Sequence, residues 1–266
     1  MRHWLKHAFV AAAALLLTGC LWGPGKFASD LTLKKDGSFI LDYRGEIVLQ
    51  LPPDASVEAW DDTMAHCGGA RDGTKTERPC SKQEVVEQKT AHEKRVASKH
   101  DEMEQMAKVF GLPGLDDASN RAFAAKLMKY EGWRSVTYRA NGVFDIVYHM
   151  EGSARQDFVF PALPDNDLII PFIAIRRRAD GSVLVTAPAF TGGAGPFGAR
   201  AGAAAANQMK GGPVSRAQGR FTVITDGEIL TNNSEDGASP HAIGRQVRWD
   251  VGPSSTRIPE ALIRLR

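Results

Sequence analysis

The sequence predicts an α+β fold, an antiparallel sheet of hairpins with a two-helix insertion packed on it. Asp-Gly or Asn-Gly separates alternating apolar segments three times, at Asp36-Gly37, Asn141-Gly142 and Asp180-Gly181. That dipeptide between period-two segments signals a hairpin, because primed turns need positive φ at both central residues. A block without Gly or Pro, dense in Glu, Lys, Gln and Ala, interrupts the strand-like sequence at residues 81–110. Hairpins with helices inserted as one block give α+β rather than α/β.

The elements follow in order. Phe27, Ser29, Leu31 and Leu33 alternate with mostly polar neighbours before Asp36-Gly37, and Phe39, Leu41 and Tyr43 resume the alternation after it. Residues 52–80 read as irregular, opening on Pro52-Pro53 and holding Cys67 and Cys80. The first helix of the insertion (81–131) starts at Ser81, with Glu84 three residues on as a capping box, and its apolar stripe is thin. A second helix over 116–131 places Phe123, Leu127 and Tyr130 at helical spacing, with Asp116-Asp117 at its start and Gly132 past its end. Val136 and Tyr138 lead into the second hairpin, and Phe144, Ile146, Tyr148 and Met150 lead out. Ile173 and Ile175, then Val183 and Val185, flank the third. Phe221 and Val223, with Val247, Trp249 and Val251, form a last pair of strands joined through Asn232-Asn233. Residues 191–217 are a Gly/Ala-rich loop.

The N-terminus predicts an address. Arg2 and Lys6 precede an apolar run of ten residues, 8–17, and Thr18-Gly19-Cys20 follows. A basic start, a short apolar core and small residues before a cut form a secretory signal. The run spans about 15 Å as a helix, half of a roughly 30 Å hydrocarbon core, so it does not read as a permanent span. Leu17-Thr18-Gly19-Cys20 resembles the lipobox of bacterial lipoproteins. That resemblance implies removal of residues 1–19, acyl chains on Cys20, and a single periplasmic α+β domain over 20–266. Two or more chains give stable anchoring. By the same analogy, Leu21 after the cysteine, where an acidic residue would favour the inner membrane, implies the outer membrane.

This accounts for charge and cysteines together. The chain of 266 residues has 33 Lys and Arg against 31 Asp and Glu, a net charge of +2 that gives no electrostatic case for nucleic acid. Arg2 and Lys6 carry that excess, so the mature chain is formally neutral. Of three Cys, Cys20 goes to lipid, and an exported pair, Cys67 and Cys80, reads as a disulfide worth roughly 3 kcal/mol in the chain-entropy model. No Cys-x-x-Cys spacing favours a metal pair, and His66 is the one neighbouring ligand candidate.

Catalytic and cofactor motifs fail on their own chemistry. Residues 193–198 match the glycine fingerprint of dinucleotide folds but lack its strand-to-helix setting. His92-Glu93 opens a zinc motif that needs a second His at position 96, where Val96 stands. No Gly-x-Ser-x-Gly elbow occurs. No catalytic, cofactor or metal residue is therefore assigned. Arg176-Arg177-Arg178 beside a hairpin turn reads as a solvated tip, with contact to anionic headgroups as the rival.

The strand pattern resembles the LppM-like group of bacterial lipoproteins. The carrying residues are 31–37 with Phe39, Gly219-Arg220-Phe221 through Asn232-Asn233, and Gln246-Val247-Arg248-Trp249-Asp250-Val251. The resemblance covers about a third of the chain. It implies a curved antiparallel sheet cradling a lipid or glycolipid, and it carries over no functional residue. The expectation is a non-catalytic lipoprotein facing the periplasm, which binds a lipid ligand or an envelope protein or acts in envelope assembly. The alternative is an envelope hydrolase with a dispersed site, in which His149 or His241 meets an acid and a Ser.

Overall fold

The computed structural model describes residues 22–49, 59–71, 74–109, 113–114, 116–162, 171–191 and 217–265. The signal segment with Cys20, the Pro52-Pro53 stretch, the glycine fingerprint and nearly all of the Gly/Ala-rich loop lie outside them. The fold is α+β and dominated by antiparallel sheet.

The first hairpin pairs β1 (Trp22–Leu33) with β2 (Ser38–Leu49). The second pairs β5 (Trp133–Ala140) with β6 (Val143–Ser153), and β6 also lies against β2. On the other side, β1 runs parallel to β10 (Gln218–Thr225), which pairs with β13 (Gly244–Val251), followed by β12 (Ala238–His241). These seven strands form one sheet. A second, five-stranded sheet has the order β11 (Glu228–Asn232), β14 (Glu260–Arg264), β9 (Val183–Thr186), β8 (Ile173–Arg177), β7 (Phe158–Phe160). The third hairpin therefore belongs to a different sheet from the first two.

Two of the three hairpin turns depart from the primed geometry. Asn141 and Gly142 both have positive φ, at 52° and 73°. In the other two turns only the glycine does, Gly37 at 87° and Gly181 at 81°. Gly37 N–H donates to Lys34 O at 2.9 Å and Lys34 N–H to Ser38 O at 2.9 Å. Gly181 N–H donates to Arg178 O at 3.0 Å and Arg178 N–H to Ser182 O at 2.8 Å. This is the longer hairpin loop, a tight turn followed by a left-handed glycine that bulges the strand. The residue after the glycine decides it. The hydroxyls of Ser38 and Ser182 donate to Asp36 and Asp180 at 2.6 Å, and their N–H groups donate to the same oxygens at 2.8 and 3.0 Å. Those bonds hold both carboxyls below the usual range.

The alternating residues of β1 and β2 bury Phe27, Ser29, Leu31, Leu33, Phe39, Leu41 and Tyr43 on one face. Phe160, Phe172 and Phe190 meet them from the ends of β7, β8 and β9. Phe27 stacks on Phe190 at a centroid distance of 4.1 Å, and Tyr43 lies 5.0 Å from Phe160. Phe221 continues the array 5.5 Å from both Phe190 and Trp249. These rings form one core shared by both sheets. Offset and tilted pairs at such spacings add to the burial of each ring.

Asn233 ties the sheets at a second place. Its Oδ1 accepts from Trp249 Nε1 on β13 and from Glu260 N–H on β14, each at 2.9 Å. Its Nδ2 donates to Ile258 O at 2.7 Å. The connection through Asn232-Asn233 is thus more than a link to β13: β11 crosses into the second sheet and pairs with β14.

The insertion comprises α1 (Lys82–Val109) and α2 (Asp117–Leu127). Asp116 caps α2, accepting from Ser119 N–H at 2.9 Å. Phe123, Ala124 and Leu127 are buried, and Phe123 stacks on Trp22 at 5.4 Å, so α2 is the helix packed on the sheet. The side chains of α1 described here are exposed or half-buried, Val86 being 61% exposed. Among the described residues, its hydrogen bonds reach His66 through Gln88, and Arg78 and Ser81 through Glu84. Nor is residues 52–80 all irregular: β3 (Cys67–Arg71) pairs with β4 (Thr74–Arg78) after a 3-10 turn at Asp62–Met64. This hairpin lacks apolar alternation, which is why periodicity did not reveal it.

Candidate functional site

Three places carry chemistry or position it. The first is the start of β1. The sheet begins at Trp22, two residues after Cys20, and two residues reach about 7 Å at most. Trp22 is buried opposite Leu49 on β2, and its ring meets Phe123 of α2 and Phe144 of β6, each at 5.4 Å. Leu49 N–H donates to Gly142 O at 2.7 Å and fastens the neighbouring turn.

The second is His149, on the outer face of the seven-stranded sheet. Its register partner on β2 is Asp42, and His149 Nδ1 lies 2.8 Å from Asp42 Oδ1. Its other nitrogen lies 3.6 Å from Glu151 Oε1. The hydrogen bond to Asp42 raises the imidazole pKa. Ser29 does not join them: it is buried in the core, its hydroxyl donating to the Asp42 main-chain carbonyl at 2.9 Å. Among the described residues, the side chains beside the His149 nitrogens are thus the acids Asp42 and Glu151. His241 Nδ1 accepts from Ile243 N–H at 3.2 Å within its own turn.

A pKa raised in the folded state stabilises the fold fully below the ordinary imidazole value, about 6.5, and this is lost as pH rises through the raised value. The melting temperature is therefore expected to fall as pH rises from about 6.5. Asp42→Asn should flatten that part of the profile. Thermal melts followed by circular dichroism check this, and equal slopes in both proteins would rule the pair out as the cause.

The third place is the junction of the β3–β4 hairpin with α1. The sulfur atoms of Cys67 and Cys80 are 2.16 Å apart, with Cα atoms 5.1 Å apart. Immediately after Cys80 the capping box closes: Ser81 N–H donates to Glu84 Oε2 at 2.9 Å, and Glu84 N–H to Ser81 Oγ at 3.3 Å. Arg78 adds a fork to the same carboxylate at 3.0 and 2.5 Å. Arg78 first, and then Ser81, pull the Glu84 pKa down to about 2. One turn on, Gln88 clamps His66 in both directions at 3.1 Å, accepting its N–H and donating to its carbonyl. The result is a cleft of about 540 Å³ lined by Trp60, Met64, His66, Gln88, Ala91, His92 and Arg95. His92, whose zinc motif fails at Val96, lines this concave surface.

Among the described residues no three His, Cys, Asp or Glu side chains converge as a metal site, and no helix is long and apolar enough to cross a membrane. The side chains of Arg176, Arg177 and Arg178 are exposed at the end of β8, where Arg177 N–H donates to Asp157 at 3.3 Å.

These features define a sheet-dominated α+β domain with a surface cleft and a sheet end two residues from Cys20. No protein-family model matches the chain, and no curated protein matches it. Among solved structures it is similar to the folded domain of LppM from Mycobacterium tuberculosis, at 13% identity and a TM-score of 0.21, over 92% of this chain and 91% of that one. A score that low does not place the two folds together.

Proposed function

We propose that this chain is a cell-envelope lipoprotein, acylated at Cys20, whose domain has a non-catalytic binding or assembly role against the membrane. The observation that carries the reading is the spacing of Leu17-Thr18-Gly19-Cys20 after the apolar run, with β1 starting at Trp22. A tether of about 7 Å keeps the sheet end at the headgroups. Leu21 favours the outer membrane, with the domain in the periplasm, an oxidising compartment suited to the Cys67–Cys80 bond.

The rings between the two sheets touch one another, so among the described residues that space is filled rather than open to an acyl chain. This favours a binding surface on the outside of the domain over a lipid held between the sheets.

Radiolabelled palmitate fed to cells expressing the chain tests the anchor. The wild type is expected to take up label and sediment with membranes. Cys20→Ser is expected to carry none and to leave unprocessed precursor or a soluble product. Persistent label on Cys20→Ser would refute the proposal.

A further inference from the structure

We infer that the cleft between residues 60–66 and α1 is a binding site for a small aromatic acid, a flat apolar body carrying one anionic group. Its wall on α1 is the stripe Gln88, Ala91, His92 and Arg95, spaced i, i+3, i+4 and i+7, so these four share one helix face. Ala91 contributes only a methyl group, which leaves depth beside its larger neighbours. The opposite wall is Trp60, Met64 and His66.

The walls are held in advance. Trp60 Nε1 donates to Asp62 Oδ1 at 2.9 Å, and the Trp60 ring lies 5.5 Å from that of His92. The Gln88 amide fixes His66, and the bond between Cys67 and Cys80 fixes the hairpin that follows. Preorganised walls reduce the ordering cost of binding. A volume of about 540 Å³ lies in the range of small-molecule sites.

The lining sets the ligand's charge. It contains the Arg95 guanidinium, two imidazoles and an amide, and no carboxylate. In the segment that forms the opposite wall, Asp62 accepts from the Trp60 indole and Asp61 from the Thr63 N–H. An indole, a thioether and a methyl group suit a flat apolar body, and a guanidinium suits one carboxylate or sulfonate. The inference does not depend on the acyl anchor, because every residue it uses lies between 60 and 95.

The test is calorimetric titration of the full chain in a non-ionic detergent with naphthalene-2-sulfonate and with naphthalene-2-sulfonamide, a neutral probe of nearly the same shape. The wild type is expected to bind one sulfonate, about tenfold more tightly than the sulfonamide, the size of one charge-assisted hydrogen bond. Arg95→Gln should erase that preference and leave sulfonamide binding unchanged. Ala91→Trp should weaken both probes by filling the cleft. Residues 91 and 95 are exposed, and circular dichroism confirms that both variants keep the helix. Equal affinity of the wild type for the two probes, a preference that survives Arg95→Gln, or binding untouched by Ala91→Trp would each overturn the inference.

Discussion

Phe190→Ala is expected to lower the stability of the domain by about 3–5 kcal/mol, the usual range for removing a buried aromatic ring. Phe190 is fully buried where the two sheets meet. Its ring stacks on Phe27 at 4.1 Å and lies 5.5 Å from Phe221, 6.3 Å from Phe172 and 6.5 Å from Tyr43. Removing it takes one partner from four rings at once. The neighbours are held by sheet backbone and close over the void only in part, so the cavity adds to the lost transfer energy. Domains are stable by about 5–15 kcal/mol, so this one change removes a large share. Urea denaturation followed by tryptophan fluorescence measures the loss. Phe190→Leu, which keeps most of the volume, should lose less. A midpoint for the alanine variant equal to wild type would mean that the sheets do not share this core.

Gly219→Ala is expected to cost about 3 kcal/mol or more, as overpacking against backbone does at its upper end. Phe27 on β1 stands opposite Gly45 on β2 and Gly219 on β10. A methyl on Gly219 would lie 1.9 Å from Phe27 O and 2.7 Å from its carbonyl carbon. A methyl on Gly45 would lie 2.2 Å from Lys26 O and 2.6 Å from Phe27 Cα, and Gly45 has a φ of +151°. The clashing atoms are main chain, so no rotamer relieves them, and the parallel pairing of β1 with β10 must part. Gly252→Ala is the control, since nothing stands within 4 Å of its added carbon. Both variants can be compared by urea denaturation. A Gly219→Ala protein as stable as Gly252→Ala would show that β10 does not press on Phe27.

Local pattern was enough for the three hairpins turned at Asp-Gly or Asn-Gly, the caps and the fold class. Asp36-Gly37, Asn141-Gly142 and Asp180-Gly181 all turn hairpins, because a glycine able to take positive φ is a property of the residue itself. Ser81 with Glu84, and Asp116, cap the two helices through bonds spanning three residues. The turn type in two hairpins was harder to read. Ser38 and Ser182 sit outside the dipeptide, and it is their bonds to the preceding Asp that select the longer loop. The β3–β4 hairpin escaped periodicity because it has no apolar face, and β14 because it is only five residues long.

The candidate cleft was almost illegible. Gln88, Ala91, His92 and Arg95 show a helical spacing, but nothing in a one-dimensional pattern says that Trp60 and His66 lie across from them. That follows from the clamp of Gln88 on His66 and from the covalent closure between Cys67 and Cys80.

The sequence by itself determined that this is an α+β chain of hairpins with one helical insertion, and it predicted an address through Leu17 to Cys20. Such features depend on contacts between near neighbours: a turn residue, a cap, an alternation or a processing motif. The tertiary structure alone decided that the hairpins divide between two sheets, that β1 pairs in parallel with β10, and that Asn233 bridges Trp249 to β14. It alone brought 60–66 against α1. These pairings join residues far apart in the chain, and they form where side-chain shape and unpaired polar groups match across the fold.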